Sequence, residues 1–246
     1  VLVLAVDTST PFVTAGVCRL TSGDAGPAVE TLAMRVTEDA RAHAELLTPH
    51  ILECLTEVGV TPDELDAVVV GIGPGPFTGL RVGMVTAAAF ADAIGKPVHG
   101  ICSLDGLAAR ARAAGATGDL VVVTDARRRE AYHAHYSPEG GRISGPTVGP
   151  AADIEFGQGV QGVGDPVRLR EVRSRTGPGG ETAVVTVAPG LEAVTAPDPA
   201  GLVTVAAPDL LAGVTPAPLE PLYLRRPDAV PPRRSEPSSA LQGLDR

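Results

Sequence analysis

The chain opens with LVLAVD over 2–7, a run too uniformly apolar for a half-exposed element and too short for a core helix. It predicts a strand buried on both faces. After the polar DTST, residues 12–20 alternate as FVTAGVCRL, and a third strand is expected over 28–36. From 39 to 58 the apolar positions recur every three or four residues, which predicts a helix. A strand over 65–70 then leads through a Gly/Pro-rich loop into an Ala-rich helix over 80–94, with Thr78 placed as its N-cap. A short strand over 97–101 and a helix over 103–114 complete this half.

The pattern restarts at Asp119. LVVVTDARRREAYHAHY repeats the order apolar strand, aspartate, polar turn, alternating strand seen in LVLAVDTSTPFVTAGVCRL, and it puts Asp7 and Asp125 in the same place. An internal repeat of this size predicts two similar α/β lobes facing one another across a cleft. The second copy is degraded: after Gly140 the chain reads as irregular as far as Gly190, with strands only near 160–163 and 183–187 and a helix over 199–212. Residues 231–246, PPRRSEPSSALQGLDR, have the composition of a disordered tail.

The loop GIGPGPFTGLRVG over 71–83 is the densest candidate for chemistry. Gly73 and Gly75 let the backbone turn tightly and let another surface or a phosphate approach the helix start. Two nucleotide motifs fail on it. A P-loop needs Gly-Lys-Ser/Thr where the chain has Gly79-Leu80-Arg81, and a dinucleotide fingerprint needs glycine at Thr78. A plain structural turn remains the alternative.

Length and a hydrophobic share of 44% support a core in one or two lobes. No run reaches the ~20 apolar residues of a membrane span, and Val1 to Val6 is short and without the basic flank of a signal peptide, so a cytoplasmic location is expected. Cys18, Cys54 and Cys102 are widely spaced and read as buried free thiols. The net charge of −9 opposes unaided nucleic-acid binding unless a local basic patch overcomes it. Arg127-Arg128-Arg129, the Arg168 to Arg175 group and Arg225-Arg226 are the candidates, against the ordinary reading of a solvated charged face.

Asp7-Thr8-Ser9-Thr10, the loop GPGPFTGLRVG, Asp125-Ala126-Arg127 before Glu130-Ala131-Tyr132, and Pro221-Leu222-Tyr223-Leu224-Arg225 together resemble the bacterial TsaB (YeaZ) family. The resemblance runs from Val1 to about Asp228. It implies the actin-like ATPase (ribonuclease H-like) fold, with 1–117 as an N-terminal lobe bearing partner-binding helices and 118–230 as a reduced C-terminal lobe. It also implies a non-catalytic subunit that pairs with a TsaD-type transferase for N6-threonylcarbamoylation of adenosine 37 in tRNA. A TsaE-type ATPase completes that complex, and tRNA is reached only through it. The enzyme alternative is a weak ATPase or metallopeptidase of the same superfamily.

Metallopeptidase chemistry needs ligands at one place, and His43 and His50 lie roughly 10 Å apart along a helix. No metal site is expected. The superfamily's cleft maps onto Asp7, Thr8, Ser9, Gly73, Gly75, Thr78 and Asp125 as a vestigial nucleotide site, with room for weak ATP or ADP binding there or at the partner interface. Asp7 has the alternative of capping its own turn.

The partner interface is expected on the first two helices. Gly79, Gly83, Ala87 and Ala91 recur every fourth residue as a small-residue stripe, while His43, Leu46 and His50 stand off the apolar face of the preceding helix. The stripe suits its own sheet equally well; the resemblance favours the partner, and leaves open a homodimer of the free chain through the same surface.

Overall fold

The computed structural model describes residues 1–24, 26–157, 159–175, 182–187 and 189–225. The expected tail lies outside them, as does Arg226. Two sheets form the two lobes. In the first lobe the strands are β1 (Leu2–Asp7), β2 (Phe12–Gly23), β3 (Gly26–Glu38), β4 (Ala67–Gly71) and β5 (Val98–Ile101), with helices α1 (His43–Val58), α2 (Phe77–Ala93) and α3 (Ser103–Ala113). In the second they are β6 (Leu120–Asp125), β7 (Glu130–Tyr136), β8 (Arg142–Pro150), β9 (Glu155–Phe156), β10 (Gln161–Gly164), β11 (Arg173–Arg175), β12 (Thr182–Val184) and β13 (Thr186–Val187), with helix α4 (Pro166–Leu169); helix α5 (Pro199–Ala212) follows them in the chain.

The strand orders β3-β2-β1-β4-β5 and β13-β10-β6-β7-β8 are the same pattern twice, and β9, β11 and β12 make a small third sheet. In each large sheet the first strand pairs antiparallel with its hairpin partner and parallel with the strand that returns after a crossover. The duplication legible in the two LVxxxD runs is therefore a duplicated topology. This is a bilobed α/β fold of the actin-like ATPase, ribonuclease H-like kind.

Period-two alternation explains how β1 is buried on both sides. Leu4 and Val6 join Leu47, Ile51 and Leu80 from α1 and α2, while Val3 and Ala5 join Leu202, Val203 and Ala206 from α5. The central strand of the second sheet divides in the same way. Leu120 and Val122 pack with Leu104 and Leu107 of α3, and Val121 and Val123 with Ile154, Leu169 and Val172. Helix α5, which the division at 117/118 put in the second lobe, thus covers the open face of the first sheet.

Several boundaries move for local reasons. Helix α1 starts at His43 instead of Asp39, because the Asp39 carboxylate accepts the Arg41 N–H at 2.8 Å and holds a turn there. Helix α2 starts at Phe77, so Thr78 is its second residue and not its N-cap. Pro76 fixes its own φ at −59° and its carbonyl accepts the Leu80 N–H at 3.0 Å, with no side-chain cap. The stretch expected to be irregular after Gly140 contains β8, an edge strand whose Gly145-Pro146 coincides with shifts of register against β7. Proline is tolerated at such an edge. The strand expected over 183–187 is split between two sheets at Val185, which is buried and donates its N–H to Val172.

Candidate functional site

A cleft of about 790 Å³ lies between the lobes. The first lobe contributes Thr10, Pro11, Arg41, His43, Val82 and the start of α2 from Gly75 to Gly79; the second contributes Asp125, Ala126, Arg127, Arg128, Tyr132 and Arg168. Tyr223, Leu224 and Arg225 close it from the returning C-terminal segment. That segment is tied to both lobes: the Leu222 N–H donates to the Ile72 carbonyl at 2.9 Å, and Arg225 Nη1 donates to the Ala126 carbonyl at 2.9 Å.

The two repeated aspartates meet different fates. Asp7 is 1% exposed and is not on the cleft wall. Its Oδ1 accepts the Ser9 N–H at 2.8 Å and the Ser9 hydroxyl at 2.7 Å, and its Oδ2 accepts the Ser103 hydroxyl at 2.6 Å. Burial raises its pKa above the ordinary carboxylate value, against the opposing pull of these bonds. Asp7 thus caps its own turn and ties β1 to α3. Asp125 does reach the cleft, where Arg168 Nε donates to it at 2.8 Å while Arg168 Nη1 donates to Glu171 at 3.1 Å.

The glycine loop is packed against its own lobe. Gly73 is bonded twice to Ser103, its N–H donating to the hydroxyl at 3.2 Å and its carbonyl accepting the Ser103 N–H at 2.7 Å. At Gly75 a Cβ would collide with the Ser9 backbone, so the surface that glycine admits is strand β1's own turn. Thr78 is exposed on the cleft wall.

The small-residue stripe faces inward. Gly79, Gly83, Ala87 and Ala91 are buried within the chain itself, Ala87 at 0% exposure. Thr8 explains the two glycines: its hydroxyl donates to the Gly79 carbonyl at 2.7 Å and accepts the Gly83 N–H at 3.0 Å, leaving no space for a Cβ at Gly83. His43 and His50 are buried as well. His43 Nε2 donates to the Thr10 carbonyl at 2.9 Å, and His50 Nε2 shares a hydrogen bond of 2.9 Å with Thr37 Oγ1. Leu46 is half-buried against the same core. The seven residues expected to meet a partner therefore build the α1–α2 layer onto its sheet. The outward positions of α2 are Arg81, Val85 and Ala89 instead, Val85 being 67% exposed.

Sequence reasoning missed Arg41, Phe77 and Tyr132 as cleft residues. In the sequence Arg168 reads only as charge, and Arg127 and Arg225 as charge and as part of the resembling motifs. At the mouth, Phe77 and Tyr223 stack with centroids 5.0 Å apart. Arg81 lies 3.7 Å from the Phe77 centroid, and its Nε donates to the Tyr223 hydroxyl at 2.7 Å. Among the described residues no group of three or more His, Cys, Asp or Glu side chains is placed to hold a metal ion. No helix among them is long and apolar enough to cross a membrane.

The family model described as TsaD, tRNA N6-adenosine threonylcarbamoyltransferase, matches residues 31–161. A relative from Mycobacterium bovis is 47% identical over 233 residues, which is 93% of this chain and 94% of that protein. One from Mycobacterium leprae is 49% identical over 230 residues, 94% of this chain but 56% of its own length, so the chain spans little more than half of that relative. The crystal structure of a Pseudomonas aeruginosa protein similar to peptidase YeaZ matches with a TM-score of 0.71 at 25% identity. It covers 91% of this chain and 99% of that one.

Proposed function

The chain belongs to the TsaD/TsaB–YeaZ glycoprotease-like family of the actin-like ATPase superfamily, and from that premise we propose that it is a non-catalytic subunit of tRNA threonylcarbamoylation. Its partner is a TsaD-type transferase. The observation that carries the reading is the engagement of both repeated acids: Asp7 is sealed between Ser9 and Ser103, and Asp125 is clamped by Arg168. An ATPase or peptidase of this fold needs a carboxylate free to hold an ion or activate water in the cleft.

The pairing surface we assign is the outer face of α2, where Val85 and Ala89 stand one turn apart. An exposed valine on a helix that buries its small residues inward is available to a partner helix without disturbing the core. The test is co-purification of the tagged chain with the transferase of its own genome, followed by tRNA modification by the pair. Val85→Glu should abolish capture and leave the melting temperature unchanged. Capture of the variant at the wild-type level rejects that face, and failure of the wild-type chain to capture or activate the transferase rejects the subunit reading.

A further inference from the structure

The chain is acidic overall, yet among the described residues its cleft wall carries Arg41, Arg127, Arg128, Arg168 and Arg225, and the carboxylate of Asp125. Glu130 and Glu171 stand behind Arg225 and Arg168 as their ion-pair partners. These arginines come from four distant segments: the turn before α1, the β6–β7 turn, α4 and the C-terminal strap. Only the fold brings them together, and it does so on opposite walls of one cavity.

A second observation concerns the β6–β7 turn. Arg127, Arg128 and Arg129 are consecutive left-handed residues, with φ of 62°, 52° and 65°. Side chains other than glycine rarely adopt this conformation once, and a run of three is disfavoured throughout. Backbone bonds hold it: the Ala126 N–H donates to the Glu130 carbonyl at 3.0 Å, the Glu130 N–H to the Arg127 carbonyl at 2.9 Å, and the Ala151 N–H to the Arg129 carbonyl at 3.0 Å. The result is that Arg127 and Arg128 are presented to the cleft. Such local strain concentrates at ligand sites. The uncapped first turn of α2 lines the opposite wall and adds the positive end of its dipole.

We propose that this cleft binds the sugar–phosphate backbone of single-stranded RNA, with Arg41 on one wall and Arg127 on the other as phosphate contacts. The choice of RNA over DNA rests on the function proposed above; the contact itself does not require the transferase. Three features favour a polymer over a free nucleotide. The acids that would hold a nucleotide's magnesium ion are engaged, as described. The positive charge is spread along the walls and not gathered around a glycine-rich cradle. It also continues past the mouth, where Arg81, Phe77 and Tyr223 form a half-exposed stack, the two rings being 44% and 40% exposed. Aromatic rings and guanidinium planes beside a basic groove are what unstacked bases pack on.

The test uses the isolated full chain and a fluorescein-labelled 15-nucleotide single-stranded RNA in fluorescence anisotropy across a salt series. Saturable binding is expected, with log K falling by about 0.7 per phosphate contact for each tenfold rise in salt. Arg41→Gln combined with Arg127→Asn, the latter chosen because asparagine tolerates the left-handed backbone, should weaken binding at least tenfold and flatten the slope by about 1.4. Phe77→Ala should weaken it about tenfold without changing the slope. Circular dichroism must match wild type in each variant. The proposal is overturned by absence of saturable RNA binding, or by a folded double variant that binds as wild type does. It is also overturned if a glutamate-rich peptide of equal charge displaces RNA at equal concentration, if DNA of the same sequence binds as tightly, or if ATP with magnesium binds where RNA does not. Because no transferase is present, a failure here leaves the pairing on α2 standing, and a failed capture leaves this result standing.

Discussion

Gly83→Ala is the most incisive single change in the first lobe. The added methyl would overlap the Thr8 hydroxyl, which accepts the Gly83 N–H and donates to the Gly79 carbonyl. Displacing Thr8 forfeits two buried hydrogen bonds at about 1 kcal/mol each. Overpacking between α2 and β1 adds about 1–3 kcal/mol, since both elements are buried there. Alanine returns about 1 kcal/mol of helix propensity over glycine. The net is a loss of roughly 2–4 kcal/mol, or about 5–15 °C in melting temperature for a chain of this size. Thr8→Ala alone should cost about 1–2 kcal/mol through the lost bonds. In the double variant the new methyl occupies the space left by the hydroxyl, so its cost should be about that of Thr8→Ala alone and well below the sum. Urea titration of the four proteins reads the cycle. A Gly83→Ala protein that melts within about 1 °C of wild type, or single effects that add in the double, refutes the clasp.

Asp7→Asn should gain stability relative to wild type as pH rises above the ordinary aspartate value of 3.8 and converge with it below, because burial holds the folded carboxyl's pKa above its unfolded value and only the charged form is penalised. Urea midpoints at pH 4 to 7 check this; a wild type that gains on the amide as pH rises would mean the Ser9 and Ser103 bonds outweigh burial. The three thiols should be silent toward Ellman's reagent in the native protein at pH 8 and react fully in guanidinium, since burial pushes Cys18 up to about 12 and Cys54 and Cys102 up to about 11. Rapid reaction of any of them before unfolding contradicts that packing.

The duplication was readable because both LVxxxD runs are buried on two faces, which marks each as an inner strand of its own sheet. The Gly83 stripe leaves its own sheet and a partner equally open in the sequence for a definite reason: small residues every fourth position permit close approach without saying to what. Here the answer is Thr8, seventy-five residues upstream. His43 and His50 were misplaced, since a polar imidazole off the apolar face looks solvent-facing until Thr10 and Thr37 are brought to it. The cleft arginines lay in sight as charge runs. Their convergence was not, because residues 41, 127, 168 and 225 meet only through the duplicated crossover and the returning strap. The start of α2 was a matter of one proline, whose preset φ outranked a threonine two residues on.

Helix α5 gives the protein an unusual order of completion during synthesis. All five strands of the first sheet have been made once residue 101 emerges, yet the face carrying Val3, Ala5, Cys18 and Val69 gains its cover only when residues 199–212 follow. At translation rates of about 5–20 residues per second, that leaves an apolar sheet face bare for roughly ten seconds on the ribosome. The lobe begun first is sealed last. A chain cut before residue 199 would keep its second sheet intact and still carry a sticky, open first sheet, so premature termination here yields an aggregation seed instead of a smaller working domain.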